Sequence, residues 1–248
     1  MNTSGRTGII KKVVATFPKE RPISSRQLRQ AGVSNELARL YVKSGWLQRF
    51  ERGTFGFKGA ELTLQGSLEF LAERHPGLHV GGKTALSWRG ALHNIPFQET
   101  LSLWGPRNVR IPAWFQEKFP CRYTSRQLFE EELPSSAGIS TIPAKHGTVP
   151  ISEPERAILE LLSEVGTHQE IDEARHTLEL LGSLRIESLL PLLTHCRQIK
   201  SARLCMQWAA ELGLPWAAQA GETLKGVTGG SRWVRKLANG TTLILKGS

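Results

Sequence analysis

The stretch ARLYVKSGWLQRFERGTFGF, Ala38 to Phe57, limits the fold more than any other part of the chain. A helical pattern runs up to Ser44, and Gly45-Trp46 leads at once into Leu47-Gln48-Arg49-Phe50, which reads as a strand. Glu51-Arg52-Gly53 then turns the chain, and Thr54-Phe55-Gly56-Phe57 reads as the returning strand. Gly53 supplies the positive φ that so short a turn requires. A helix joined this tightly to a hairpin must pack as one unit with whatever precedes it.

What precedes it is more helix. Ile9, Ile10, Val13, Val14 and Phe17 recur at helical spacing over Gly8 to Phe17, and Pro18 stops the run. Ile23-Ser24-Ser25 supplies a staple residue and an N-cap for SSRQLRQA, which Gly32 closes. Ser34 caps NELARLYVKS. Two helices joined through Ala31-Gly32-Val33 make a helix-turn-helix, and the hairpin makes it winged. Leu37, Leu40 and Tyr41 are expected to pack on the first two helices. Asn35, Ala38, Arg39, Val42 and Lys43 are expected on the opposite face.

A recognition helix of this kind fits the DNA major groove, and a hairpin beside it lays basic side chains on flanking phosphates. The expected DNA contacts are Ser25, Arg26, Ser34, Asn35, Ala38, Arg39 and Lys43, with Arg49 and Arg52 on the wing. A small helical core with a solvated basic face would carry much of the same pattern. Charge favours DNA. Residues 1–58 hold 12 Lys and Arg against 3 acids, in a chain of net charge +10 and pI about 9.9. Residues 59–196 are net −5 and residues 197–248 net +6, so two basic ends flank an acidic middle.

The 248 residues allow one large or two ordinary domains. Lys58-Gly59 reads as the start of a linker. A helix is expected over Leu62 to Arg74, closed by His75-Pro76-Gly77, and another from Thr84. Leu101–Trp104, Val109–Ile111 and Gly138–Ile142 read as strands of a mixed sheet. SEPERAILELLSEV follows as a long helix with Ser152 as N-cap. Helices continue through IDEARHTLELL, IESLLPLLTHC and SARLCMQWAAEL. SRWVRKLANGTTLILK closes as a hairpin with an Asn239-Gly240 turn. The expected class is α+β: a winged helix-turn-helix over 1–58, then a larger mixed α/β domain over 59–248.

GLHVGGKT, Gly77 to Thr84, matches the phosphate-loop pattern G-x-x-x-x-G-K-[ST] letter for letter. Such a loop must follow a buried strand and needs a second acidic ligand for Mg²⁺. Here LEFLAERHP is helical and then broken by Pro76, and the chain holds a single Asp, Asp172. The plain reading is that Gly81-Gly82 turns the chain into a helix capped by Thr84. Scarce Asp also argues against metal-dependent nuclease or nucleotidyltransferase chemistry. The seven His are scattered, and His195-Cys196 with Cys205 lacks zinc-ligand spacing. No catalytic residue, cofactor or metal is expected. Cys121, Cys196 and Cys205 lack CxxC spacing and fit reduced thiols. The first residues lack a signal-peptide pattern, and no apolar run reaches the roughly 18 residues of a membrane span. A cytoplasmic protein without a membrane partner is expected. Arg197, Lys200, Arg203, Arg232 and Lys236 form a candidate second nucleic-acid surface, against the alternative of snorkelling surface charge.

In this order the segments resemble a known family, the AbiEi antitoxins of bacterial type IV toxin–antitoxin systems. SSRQLRQAGVSNELARLYVKSGWLQRFERGTFGF resembles the family's winged helix and HVGGKTALSWRGALH its glycine-led helix. VPISEPERAILELLSE resembles the central helix and CRQIKSARLCMQWAAELGLPW the C-terminal pair. The resemblance covers nearly the whole chain. It implies a repressor that binds inverted repeats in the double-stranded promoter DNA of its own operon. It also implies a C-terminal domain that counteracts a nucleotidyltransferase-like toxin without forming a stable complex. The alternative is a plain winged-helix transcription factor whose C-terminal domain senses a ligand or dimerises.

Overall fold

Residues 3–91, 100–107, 109–224, 233–236 and 242–245 are described in the computed structural model. At the N-terminal end, local signals decide the elements. α1 (Thr3–Thr16) ends just before Pro18, and β1 (Ile23–Ser24) leads into α2 (Ser25–Gln30). The joint is a capping box. The Gln27 N–H donates to Ser24 Oγ at 3.1 Å, and the Ser24 N–H donates to Gln27 Oε1 at 2.8 Å. α3 (Asn35–Lys43) starts on Ser34, whose Oγ accepts the Leu37 N–H at 3.1 Å. It ends in a Schellman motif: Trp46 N–H bonds to the Tyr41 carbonyl at 2.9 Å and Gly45 N–H to that of Val42 at 3.2 Å, with Gly45 at φ 77°. That turn aims the chain straight into β2 (Leu47–Glu51), and β3 (Thr54–Phe57) returns antiparallel.

The wing sheet runs β1-β3-β2. A bulge at Phe50 breaks its register, with Arg49 opposite Phe55 and Glu51 opposite Thr54. The Phe50 ring lies over Gly56, where a Cβ would stand 2.7 Å from it. The ring also meets Trp114, with centroids 5.5 Å apart. Ile10, Val13, Ile23, Leu28, Val33, Leu37, Ala38, Tyr41, Leu47, Phe55 and Phe57 form one buried cluster.

The remaining elements are α4 (Leu64–Arg74), β4 (His79–Val80), α5 (Gly82–Trp88), β5 (Leu101–Trp104), α6 (Ala113–Lys118), β6 (Cys121–Thr124), β7 (Ile139–Pro143) and β8 (Thr148–Ser152). Then come α7 (Pro154–Ser163), α8 (Ile171–Glu179), α9 (Ile186–Thr194), α10 (Ile199–Glu211), α11 (Ala217–Thr223), β9 (Trp233–Lys236) and β10 (Thr242–Leu245). The chain divides into two compact units. The first comprises residues 1–76, 110–120 and 142–149, and the second 77–109, 121–141 and 150–248.

Lys58-Gly59 therefore falls inside the first unit. Lys58 N–H donates to the Trp46 carbonyl at 3.2 Å, Leu62 is buried, and Phe70 of α4 meets Trp114 of α6 edge-on. Most of a mixed five-stranded sheet, of order β6-β5-β4-β8-β7, lies in the second unit, with β5 parallel to β6 and β4 antiparallel to β5. α7 is its central helix, with Ala157, Ile158, Leu159 and Leu162 fully buried.

Some local expectations fail for identifiable reasons. Val109 to Ile111 is not a strand; the segment is irregular and ends at Pro112, which caps α6. The N-cap of α7 is Glu153, not Ser152, because the Ser152 hydroxyl turns inward to Glu160. Thr84 does not cap α5; Gly81 does, and Thr84 Oγ1 accepts the Ser102 N–H at 2.9 Å. The Asn239-Gly240 turn lies outside the described residues. Among the described residues no helix is long and apolar enough to cross a membrane.

Candidate nucleic-acid interface

The wing tip and α2 meet through backbone. Ser25 N–H, at the start of α2, donates to the Gly53 carbonyl at 2.9 Å, which fixes the wing tip beside α2. Gly53 sits at φ 81°, and a Cβ there would press on Ser25 Oγ. The result is a groove lined by Ser25, Arg29, Asn35, Arg39, Val42, Arg49, Arg52, Gly53 and Phe55. Three elements thus bring four arginines to one concave surface of the first unit. A second hollow shares Ser25 and Arg52 and adds Arg26, Gln27, Gln30 and Arg74. Arg74 donates from Nη1 to Glu51 Oε1 at 2.8 Å and to Thr54 Oγ1 at 2.9 Å. Such a track of guanidinium groups around an exposed helix is suited to a phosphate backbone.

The face of α3 is rotated from the expected one. Ala38 is buried with Leu37 and Tyr41, while Leu40 is 39% exposed. The buried stripe is therefore centred between Leu37 and Ala38, so Ala38 belongs to the core. Glu36, Arg39, Leu40 and Lys43 point outward, with Asn35 exposed on the wing side. Ser34 is a cap. Arg49 is exposed, lines the groove and gives its Nε–H to the Glu51 carbonyl at 3.1 Å. Sequence reasoning missed Arg29 and Arg74. The signal for Arg29 was its place one turn after Ser25 on α2; nothing local marks Arg74, which arrives from α4.

For the wing, losing Arg52 to alanine is expected to weaken all duplexes alike and to lower the slope of log K against log salt by about 1. Titrations at several salt concentrations on unrelated duplexes check this. A changed base preference at constant slope would instead make Arg52 a base reader.

The phosphate-loop match has a definite structural meaning. β4 lies inside the motif and runs through Gly81-Gly82 into α5, so strand, glycine turn and helix do follow one another. The anion at that helix end is internal. Glu160 Oε2 accepts the Gly82 N–H and the Ser152 hydroxyl, each at 2.9 Å. Its Oε1 faces His79 Nε2 at 3.0 Å and accepts from Arg156 Nε at 2.8 Å. A Cβ on Gly81 would collide with that carboxylate and with Trp104. Lys83 pairs with Glu173 at 2.6 Å. Burial alone would raise the Glu160 pKa, but His79 and then Arg156 outweigh it and hold the carboxyl down to about 2. The glycines serve close packing around a buried carboxylate, and no room is left there for a phosphate.

Of the five residues of the candidate second patch, the three that are described are placed differently from one another. Arg197 is exposed. Lys200 Nζ donates to the carbonyls of Ser163 and Val165 at 3.0 and 2.9 Å, at the C-terminal end of α7, and Arg203 is buried. Arg232 and the Lys236 side chain lie outside what is described. Lys200 thus satisfies carbonyls that a helix end leaves open. Lys200→Met is expected to cost about 1–3 kcal/mol of stability in the second unit and to leave the salt slope of DNA binding unchanged. Chemical unfolding and salt titrations measure the two effects.

One more concavity in the second unit is bordered by Trp104, Arg107, Phe129 and Arg156. Arg156 stacks on Phe129 at 4.9 Å and donates to the Ala137 carbonyl at 2.7 Å, and Arg126 donates to that of Ser163 at 2.9 Å. Among the described residues no three His, Cys, Asp or Glu side chains are grouped to hold a metal ion.

Residues 98–243 match the family described as transcriptional regulator, AbiEi antitoxin, type IV TA system. Residues 7–97 match the one described as transcriptional regulator, AbiEi antitoxin N-terminal domain. The fold is similar to that of the RV2827C protein from Mycobacterium tuberculosis in its crystal structure. The TM-score is 0.55 at 16% identity, over 92% of this chain and 82% of that one, a likeness of fold alone. No curated protein matches the sequence.

Proposed function

The chain belongs to the AbiEi antitoxin family, the transcriptional regulators of type IV toxin–antitoxin systems, and from that premise we propose that it is an autorepressing antitoxin. In this reading the first unit binds inverted repeats in the promoter of its own operon, in the cytoplasm. The second unit counteracts a nucleotidyltransferase-like toxin encoded beside it, without a stable complex and without catalysis. The observation that carries the DNA half is the groove in which Arg29, Asn35, Arg39, Arg49 and Arg52 converge from α2, α3 and the wing. The acceptor-rich edge of a major groove and its two phosphate rails offer what those side chains can donate to. Support for the toxin half is the family and nothing in the geometry.

The test uses the full chain, because cutting after Lys58 would take Phe50 away from Trp114. The double variant Arg39→Ala/Arg52→Ala is expected to lose repression of a reporter fused to the upstream DNA, yet still to rescue growth when the neighbouring toxin gene is induced. A wild-type chain that represses but never rescues would make this a plain transcription factor. A double variant that loses both activities would mean the two are not separable.

A further inference from the structure

Leu40 is a large apolar side chain left 39% exposed on a helix whose outward face is otherwise charged. Glu36 lies one turn before it, Arg39 beside it and Lys43 three residues on. At about 100° per residue, Leu40 falls roughly 60° from Lys43 and on the opposite side of it from Arg39. It therefore shares the outward half of α3 with the two cations but lies away from the wing groove, whose lining includes Asn35, Arg39 and Val42. An isolated exposed leucine needs no explanation on most surfaces. Here it stands beside Lys43, in a segment with 12 Lys and Arg against 3 acids, on the helix that would enter a major groove.

We propose that Leu40 is a specificity-determining residue that reads the C5-methyl group of a thymine. This rests on the DNA-binding reading above and deepens it. The major-groove edges of the four base pairs present donors, acceptors and one apolar feature, the thymine methyl. An aliphatic side chain with no donor or acceptor discriminates there only by covering that methyl. The charge around Leu40 brings the phosphates near, and the hydrogen-bonding neighbours fix the register in which the methyl contact is made. Glu36, an acceptor on the same outward half, would disfavour placing a guanine O6 or N7 at the neighbouring position and suits a cytosine amino group instead.

The experiment selects binding duplexes from a randomised double-stranded library with the full-length wild-type chain and with Leu40→Ala. Each thymine of the selected wild-type site is then replaced by deoxyuridine, which removes only the methyl. The expected result is one thymine per half-site whose replacement weakens wild-type binding about fourfold, the worth of one buried CH₂. Leu40→Ala should bind the two versions equally, with an unchanged salt slope and an unchanged melting temperature. Uniform tolerance of deoxyuridine by the wild type overturns the proposal. So does a Leu40→Ala chain that keeps the full deoxyuridine effect, or one whose defect is a shift from dimer to monomer in solution. If the wild type enriches no sequence at all, the DNA-binding reading itself has failed, and that outcome is distinct from the others.

Discussion

Replacing Glu160 with glutamine is expected to destabilise the second unit by about 3–5 kcal/mol, the usual cost of removing one partner from a buried charged cluster. The carboxylate accepts from four sides: Gly82 N–H, the Ser152 hydroxyl, His79 and Arg156. A glutamine amide would turn a donor toward one pair of donors and leave the Arg156 charge uncompensated. The same residue sets an acid limit. An unfolded carboxyl titrates near 4.5 and the folded one at about 2, so the folded state binds fewer protons between those values. The contribution of Glu160 is complete above about pH 4.5 and is lost as pH falls toward 2, amounting to roughly 3 kcal/mol. Urea unfolding across that range, followed by hydrogen exchange at α5 and α7, should show a steeper slope in the wild type than in Glu160→Gln, which keeps the contributions of other lowered carboxyls such as Glu155 and Glu173. Equal slopes would mean that Glu160 is not the titrating group.

Arg39→Ala and Asn35→Ala should each weaken binding to the operator by about 1–3 kcal/mol and relax its sequence preference. Both side chains line the groove and neither belongs to the buried cluster, so folding should be unaffected. Quantitative gel shifts on the selected site and on scrambled DNA decide this. Loss of affinity on both DNAs alike would make the two residues phosphate contacts, and unchanged affinity on both would remove them from the interface. The wing variant Arg52→Ala is the internal contrast, since it should weaken both DNAs equally.

The winged helix was legible because its signals are local. Ser24 with Gln27, Ser34 three residues before Leu37, Gly45 after α3 and Gly53 in the wing each act within a few residues of themselves. Periodicity also located α4, α7, α8, α9 and α10 to within a few residues. The rotation of α3 was less legible. Leu37, Leu40 and Tyr41 share a helical stripe as well as Leu37, Ala38 and Tyr41 do, and hydrophobicity alone favours the larger leucine. The packed cluster settles it: Ala38 is a member at 4% exposure, and Leu40 is not.

The sequence by itself therefore determined the elements of the winged helix-turn-helix, most of the long helices, and that the N-terminal end is strongly basic. Tertiary structure decided what no spacing rule contains. It placed Phe50 on Trp114, 64 residues away in the chain, and drew 110–120 and 142–149 into the first unit. It sent Lys200 to the end of α7 and so committed a residue that counts as free charge in a composition. It filled the anion position at Gly82 with Glu160, 78 residues on, turning a phosphate-loop match into a packing device. The reason is physical: caps and turns are satisfied by neighbours in sequence, whereas buried charges and helix ends take their partners from whatever the packed chain brings within hydrogen-bond reach.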